Sequence, residues 1–159
     1  MIIEQRRMPP RPLLDDTSKA IIGQLQEDGR RSYAEIGRVV GLSEAAVRSR
    51  VQRLTDAGVL QIVAVTDPLQ LGFSRQAMVG ITVAGDATVV AERLAEIPEV
   101  DYLVLTAGSV DILAEVVCED DDQLIELLNK RIRAIEGVRS TETFVYLRLR
   151  KQLYNWGTR

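Results

Sequence analysis

Three short stretches of this 159-residue chain carry side chains able to do chemistry. The first runs from Ser43 to Leu54, where Arg48, Arg50 and Arg53 alternate with Ser49 and Gln52. Ser and Gln hydrogen-bond base edges, Arg grips guanine bidentately, and a guanidinium at a helix margin reaches phosphate. The second is Gly108-Ser109-Val110-Asp111. Glycine lets a backbone approach a ligand closely, turn amides hold a carboxylate, and Asp111 offers its charge to an ammonium. Spacing alone favours the plainer alternative, a hairpin turn whose Asp bonds its own backbone. The third is the acidic run Glu119-Asp120-Asp121-Asp122. It either presents oxygens to a cation or stabilises a helix N-terminus, and four acids opening a helix favour the second.

Composition excludes much else. With no histidine and one cysteine, the chain cannot build a Ser-His-Asp triad, a Cys-His pair, a His-ligated zinc or haem, or a Cys₄ site. No metal, cofactor or catalytic residue is expected. Cys118, inside an apolar run, reads as a small core residue. At 46% hydrophobic and 27% charged, the balance is that of a globular chain. Aromatics at 4% leave the core to Val, Ile, Leu and Ala. No apolar run approaches a membrane span, so no membrane partner is expected. Residues 1–12, with Arg6, Arg7, Arg11 and three prolines, read as a flexible arm rather than a secretory leader. The expected compartment is the cytoplasm.

The elements that position these residues follow from periodicity. Asp15 and Asp16 precede an apolar face of Ile21, Ile22 and Leu25, and Gly29 stops that helix. Ser32-Tyr33-Ala34-Glu35 is a capping box, followed by an inward face of Ile36, Val39 and Val40. Gly41-Leu42-Ser43 breaks the chain, and Ser43 caps a third helix with Val47, Val51 and Leu54 inward, ending at Gly58. Two helices joined by a three-residue Gly turn form a helix-turn-helix pattern. The third helix turns Ala45, Ser49, Gln52 and Asp56 outward, flanked by Arg48 and Arg53, with Arg50 nearer the core edge. A solvated charged face is the bland alternative; the alternation with small and amide residues favours DNA reading. Residues 59–65 are β-rich and predict the wing of a winged helix, closed by Asp67-Pro68.

Charge follows the same division. Residues 1–62 carry ten Lys/Arg against eight Asp/Glu, and the remainder ten against fifteen. A basic front joined to an acidic back suits a small nucleic-acid reader attached to something that is not one.

The front half resembles the leucine-responsive regulator/AsnC family, the feast–famine regulators. Leu14-Asp15-Asp16-Thr17, Gln26-Glu27-Asp28-Gly29-Arg30, Val40-Gly41-Leu42-Ser43, Arg50-Val51-Gln52-Arg53-Leu54, Gly58-Val59-Leu60 and Leu71-Gly72-Phe73 match it in order and spacing. The resemblance makes residues 43–54 the recognition helix.

The back two-thirds alternates strand and helix as β-α-β-β-α-β. Strands are expected at 76–83, 102–106, 112–118 and 141–149. One helix opens at Asp86, with Val90, Leu94 and Ile97 inward, and is ended by Pro98. The other opens at Asp120–Asp122 with a stripe of Leu124, Leu128, Ile132 and Ile135. That order is ferredoxin-like. Its strands are apolar on both faces, yet two helices cover only one, so the other predicts a homodimer packed sheet on sheet.

The resemblance continues through Gly137-Val138-Arg139-Ser140-Thr141-Glu142-Thr143 and residues 106–113, and covers about 13–151. It implies that Gly108, Ser109, Val110 and Asp111 help bind an amino acid between dimers. The residue before the Asp is often aromatic in relatives and is Val110 here.

The expected architecture is therefore α+β: a flexible arm (1–12), a winged helix-turn-helix (13–60), a wing and linker strand (61–75), a ferredoxin-like βαββαβ effector domain (76–151) and a tail (152–159). Base edges are assigned to Arg48, Ser49 and Gln52. Arg50, Arg53, Ser32 and Tyr33 are assigned to phosphates, with Ser43 at the recognition-helix N-terminus. The expected partners are a double-stranded DNA operator, an amino-acid-like effector and further copies, as dimer, tetramer or octamer. Two alternatives stand beside this: an architectural DNA-wrapping protein without effector, and a siroheme decarboxylase-like enzyme, disfavoured because that tetrapyrrole chemistry relies on histidine. The tail aromatics Tyr154 and Trp156 either pack on a neighbour or hang free.

Overall fold

Asp15 stands just outside α1 (Asp16–Glu27) and accepts from the Ser18 amide at 2.7 Å, satisfying one of the amides a helix start leaves unpaired. The computed structural model describes residues 14–154, 157 and 158; the N-terminal arm and Trp156 lie outside the described residues. These divide into two units, one of residues 14–65 with the chain after 150, the other Thr66–Arg150.

In the first unit, α2 (Tyr33–Val40) opens with a complete capping box. The Glu35 amide donates to Ser32 Oγ at 3.2 Å, and the Ser32 amide to Glu35 Oε2 at 3.0 Å. Gly41 ends α2 at φ 72°, a left-handed conformation natural to glycine. Gly37 is required by contact: a Cβ there would lie 2.5 Å from the Leu42 carbonyl oxygen. Ser43 caps α3 (Glu44–Asp56), accepting from the Ala46 amide at 3.2 Å. The three helices close over Ile21, Ile22, Leu25, Ile36, Val47, Val51, Leu54 and Leu60.

Two expectations fail here. Val39 faces outward at 65% exposure. The buried arc of α2 centres between Ile36 and Gly37, where the helix meets the turn, and Val39 falls outside it. The wing strand is also absent: residues 61–67 form no strand, and Pro68–Leu71 is a 3₁₀ turn with Asp67 as its cap. β propensity needs a ladder partner, and no described segment pairs with residues 59–65.

The second unit is an antiparallel sheet in the order β2-β3-β1-β4, built from β1 (Arg75–Val83), β2 (Val100–Leu105), β3 (Ile112–Cys118) and β4 (Val138–Val145). Helices α4 (Ala87–Ala95) and α5 (Asp121–Glu126) complete the ferredoxin-like βαββαβ order. Ala77, Val79, Ile81, Ile112, Ala114, Val116 and Cys118 bury one face against Val90, Leu94, Leu124, Leu127 and Ile132. Each buried Val, Leu or Ile among them contributes about 1.5–3 kcal/mol before ordering costs.

The boundaries shift for local reasons. Helix α4, capped by Asp86, ends at Ala95, three residues before Pro98. A π-helical turn, Leu127–Ile132, continues α5; its extra residue per turn buries Leu127 and leaves Leu128 only half-buried, against the expected stripe. Strand β2 starts at Val100, and Thr106 leaves it to hold the next turn. Strand β4 starts at Val138, straight after Gly137 at φ 97°, and stops at Val145 rather than 149. Its register sets Val145 opposite Ala77, so β1 runs out of residues two positions later.

Candidate nucleic-acid interface

Helix α3 turns Val47, Val51 and Leu54 into the core, which leaves Ala45, Arg48, Ser49, Gln52, Arg53 and Asp56 exposed together on its far side. The face is held in shape before any partner arrives. Arg48 Nη2 donates to Glu44 Oε1 at 2.7 Å, and its guanidinium stacks 5.3 Å from the centre of the Tyr33 ring. Gln52 Nε2 donates to Asp56 Oδ1 at 2.7 Å. Arg53 makes no ion pair among the described residues. Tyr33, from the first turn of α2, thus joins α3 through Arg48.

Ser32 and Ser43 sit exposed at the starts of α2 and α3, and their hydroxyls cap these helices. The Ser32 hydroxyl also donates to Glu35, holding that carboxyl below its ordinary range. Arg50 is placed otherwise than expected: its Nη1 donates to Asp15 Oδ2 at 2.6 Å and to Ser18 Oγ at 3.2 Å. The guanidinium closes the α1 cap, and a phosphate would compete with Asp15 for it. Ser18 first, then Arg50, hold the Asp15 carboxyl far below the usual carboxylate range. Nothing in sequence signals this pair, because its members are 35 residues apart and meet only when α1 and α3 pack.

The Gly108-Ser109-Val110-Asp111 turn joins β2 to β3. The Thr106 amide donates to the Asp111 carbonyl at 2.8 Å and its hydroxyl to the Val110 carbonyl at 2.6 Å. Asp111 reaches the neighbouring strand, its amide donating to the Ile81 carbonyl at 2.9 Å and its Oδ2 accepting from the Val83 amide at 2.7 Å. Val110 lies over Gly80, where a Cβ would come within 3.1 Å of its Cγ1. Gly108 and Ser109 are exposed, and Gly108 has open space around it without a positive φ, so nothing within the subunit demands glycine there. Sequence reading missed Thr106, which closes the turn from four and five residues away, and Gly80, which acts only through a contact with Val110 from another strand.

The other candidates are structural. Asp120 caps α5, accepting from Gln123 N at 2.8 Å, and Asp121 pairs with Arg75. Cys118 is buried, which pushes its thiol up to about 11. Tyr154 is half exposed. No helix among the described residues is long and apolar enough to cross a membrane.

A helix-turn-helix with a cation-rimmed exposed third helix, followed by a ferredoxin-like domain with one uncovered sheet face, defines a DNA-binding transcriptional regulator. Residues 14–55 match the AsnC-type helix-turn-helix domain and residues 73–159 a C-terminal dimeric alpha+beta barrel domain of AsnC regulators. The chain belongs to the leucine-responsive regulator/AsnC family. It is 37% identical over 147 residues to an HTH-type transcriptional regulator of Pyrococcus furiosus, covering 91% of this chain and 97% of that protein. It resembles the Leucine response regulatory protein (LrpA) of Mycobacterium tuberculosis at 32% identity and TM-score 0.78, covering 89% of this chain and 100% of that one. A Neisseria meningitidis transcriptional regulator solved as an L-Met complex shares the fold at 24% identity and TM-score 0.75, over 89% and 95% of the two chains. The relatives are regulators, and this chain is not an enzyme.

Proposed function

We propose that this regulator reads a pseudo-palindromic operator with the exposed face of α3 and that an amino acid or related metabolite tunes its assembly. The observation that carries the first half is the grouping of Arg48, Ser49, Gln52 and Arg53 on one exposed face, with Val47, Val51 and Leu54 buried behind them. Arg48, Ser49 and Gln52 address base edges; Arg53, Ser32, Ser43 and Tyr33 address phosphates. Arg50 joins them only by leaving Asp15. In a dimer two such helices enter major grooves roughly 34 Å apart.

The metabolite half rests on Gly108, Ser109, Val110 and Asp111. Asp111 Oδ1 takes no hydrogen bond among the described residues, so it is free to meet an ammonium while Oδ2 holds Val83. Open space at Gly108 suits a ligand carboxylate or a neighbouring dimer. The Neisseria neighbour was solved as an L-Met complex, which supports this reading. Effector binding between dimers would shift the balance among dimer, tetramer and octamer, and operator and effector affinities must then be linked reciprocally.

Titrating labelled operator and scrambled duplexes, with and without each amino acid, tests both halves. A preference for operator of about 10³-fold or more is expected. Equal affinity for both duplexes, with no response to any amino acid, would make the chain an architectural DNA-wrapping protein instead.

A further inference from the structure

Beyond Tyr146 the chain outruns its own sheet. The Tyr146 amide still donates to the Gln76 carbonyl at 2.8 Å, but β1 begins at Arg75, and the chain bends away at Leu147. Residues 147–150 read Leu-Arg-Leu-Arg, the two-residue period of a strand with one apolar and one cationic side. Leu147 is 95% exposed, and neither Arg148 nor Arg150 makes an ion pair among the described residues.

The uncovered face of the sheet has the opposite defect. Register puts Met78, Val104, Leu113, Tyr102 and Phe144 on it, together with Glu115 near its centre. Glu115 Oε1 accepts from Gln76 Nε2 at 2.8 Å, and Tyr146 lies within reach of its charge. Asp101, at the β2 bulge, has its carboxyl pushed up by partial burial and by Glu115. No cation pairs with either carboxylate among the described residues. Covering this face with a second sheet would bury both acids without a counterion, which is costly.

Carried on as a strand, the alternation of β4 sets Arg148 and Arg150 on the side of Phe144 and Tyr146, the face a second copy covers. We propose that residues 147–150 of each subunit lie across the sheet of its twin, with Arg148 and Arg150 meeting Glu115 and Asp101 there. The inference rests on the family's dimeric C-terminal domain and names the cations that let an acidic sheet face become an interface.

Two full-length variants test it by sedimentation and native mass spectrometry. One carries Glu115→Lys with Asp101→Lys, the other Arg148→Glu with Arg150→Glu. Each alone places like charges across both halves of the interface and is expected to weaken the dimer by about tenfold or more, an effect that fades with added salt. Mixed, the two restore opposite charges at both contacts, and a heterodimer is expected within about threefold of the wild-type dissociation constant. Heterodimer recovery also shows that both variants are folded. Wild-type-like dimers from either variant alone, or a mixture as weak as its components, overturn the proposal. A wild-type chain that is monomeric at micromolar concentration overturns instead the dimer reading beneath it.

Discussion

The Arg50 guanidinium, at the middle of α3, lies 2.6 Å from the carboxylate of Asp15, the residue that caps α1. Helix α3 is thereby tied at its middle to the start of α1. A side chain that pattern assigns to phosphate thus links α1 to α3 beside Arg48, Ser49 and Gln52.

The tie has an acid signature. The Asp15 carboxyl is lowered on folding from its ordinary 3.8, so its stabilisation is complete above that value and is lost as pH falls below it toward the lowered one. In Ser18→Ala and in Arg50→Ala the carboxyl should each time titrate closer to 3.8, while the Ser18 amide, kept in both, still holds it below that value. Carboxyl carbon NMR titration measures both; an Asp15 that titrates normally in the wild type refutes the arrangement.

Base reading and phosphate holding separate by salt. Arg48→Ala with Gln52→Ala should erase operator preference, each good base-edge contact being worth about 1–3 kcal/mol of discrimination. Arg53→Ala should weaken operator and random DNA alike and lower the salt slope by about 1. Fluorescence anisotropy across a salt series distinguishes them, and unchanged discrimination in the double variant rules out this face.

Charge and fold separate at Asp111. Asp111→Asn keeps an oxygen for the Val83 amide but removes the negative charge, so the melting temperature should hold within a few degrees while amino-acid response disappears. Asp111→Ala should lose both. Calorimetry showing the same amino-acid affinity in Asp111→Asn would exclude an ammonium partner.

Backbone contact decides Gly37. A Cβ 2.5 Å from the Leu42 carbonyl must push the turn aside, so Gly37→Ala should cost about 2–3 kcal/mol, the upper part of the ordinary range for single substitutions. DNA affinity should fall with it, since the same turn sets α2 against α3. Urea unfolding checks the first expectation; a loss below about 0.5 kcal/mol would show that the turn yields freely.

What could be read from the chain was what depends on neighbours in sequence. The caps at Ser32 and Ser43 span three residues, and the buried faces of α1 and α3 repeat with the helix period. Strands β1 and β3 lie within one residue of where apolar patterning sets them. The misreadings were places where a partner decides. Residues 59–65 have the composition of a strand and no strand to pair with among the described residues. Residues 148–149 carry on its alternation, but β1 has already ended opposite 147. Val39 has the right spacing for burial on a helix whose inward arc is set by the turn beside Gly37.

The amino-acid order by itself determined the sequence of elements, the helix-turn-helix, the ferredoxin-like succession and the family, because helix period, caps and strand alternation are local properties of the chain. The tertiary structure alone decided which arginine meets Asp15, where Asp111 sends its carboxylate, which side chain requires Gly80, and which acids of the open sheet have no cation beside them among the described residues. Those depend on residues brought together from 28 to 39 positions apart, and no local pattern encodes a contact that exists only after packing.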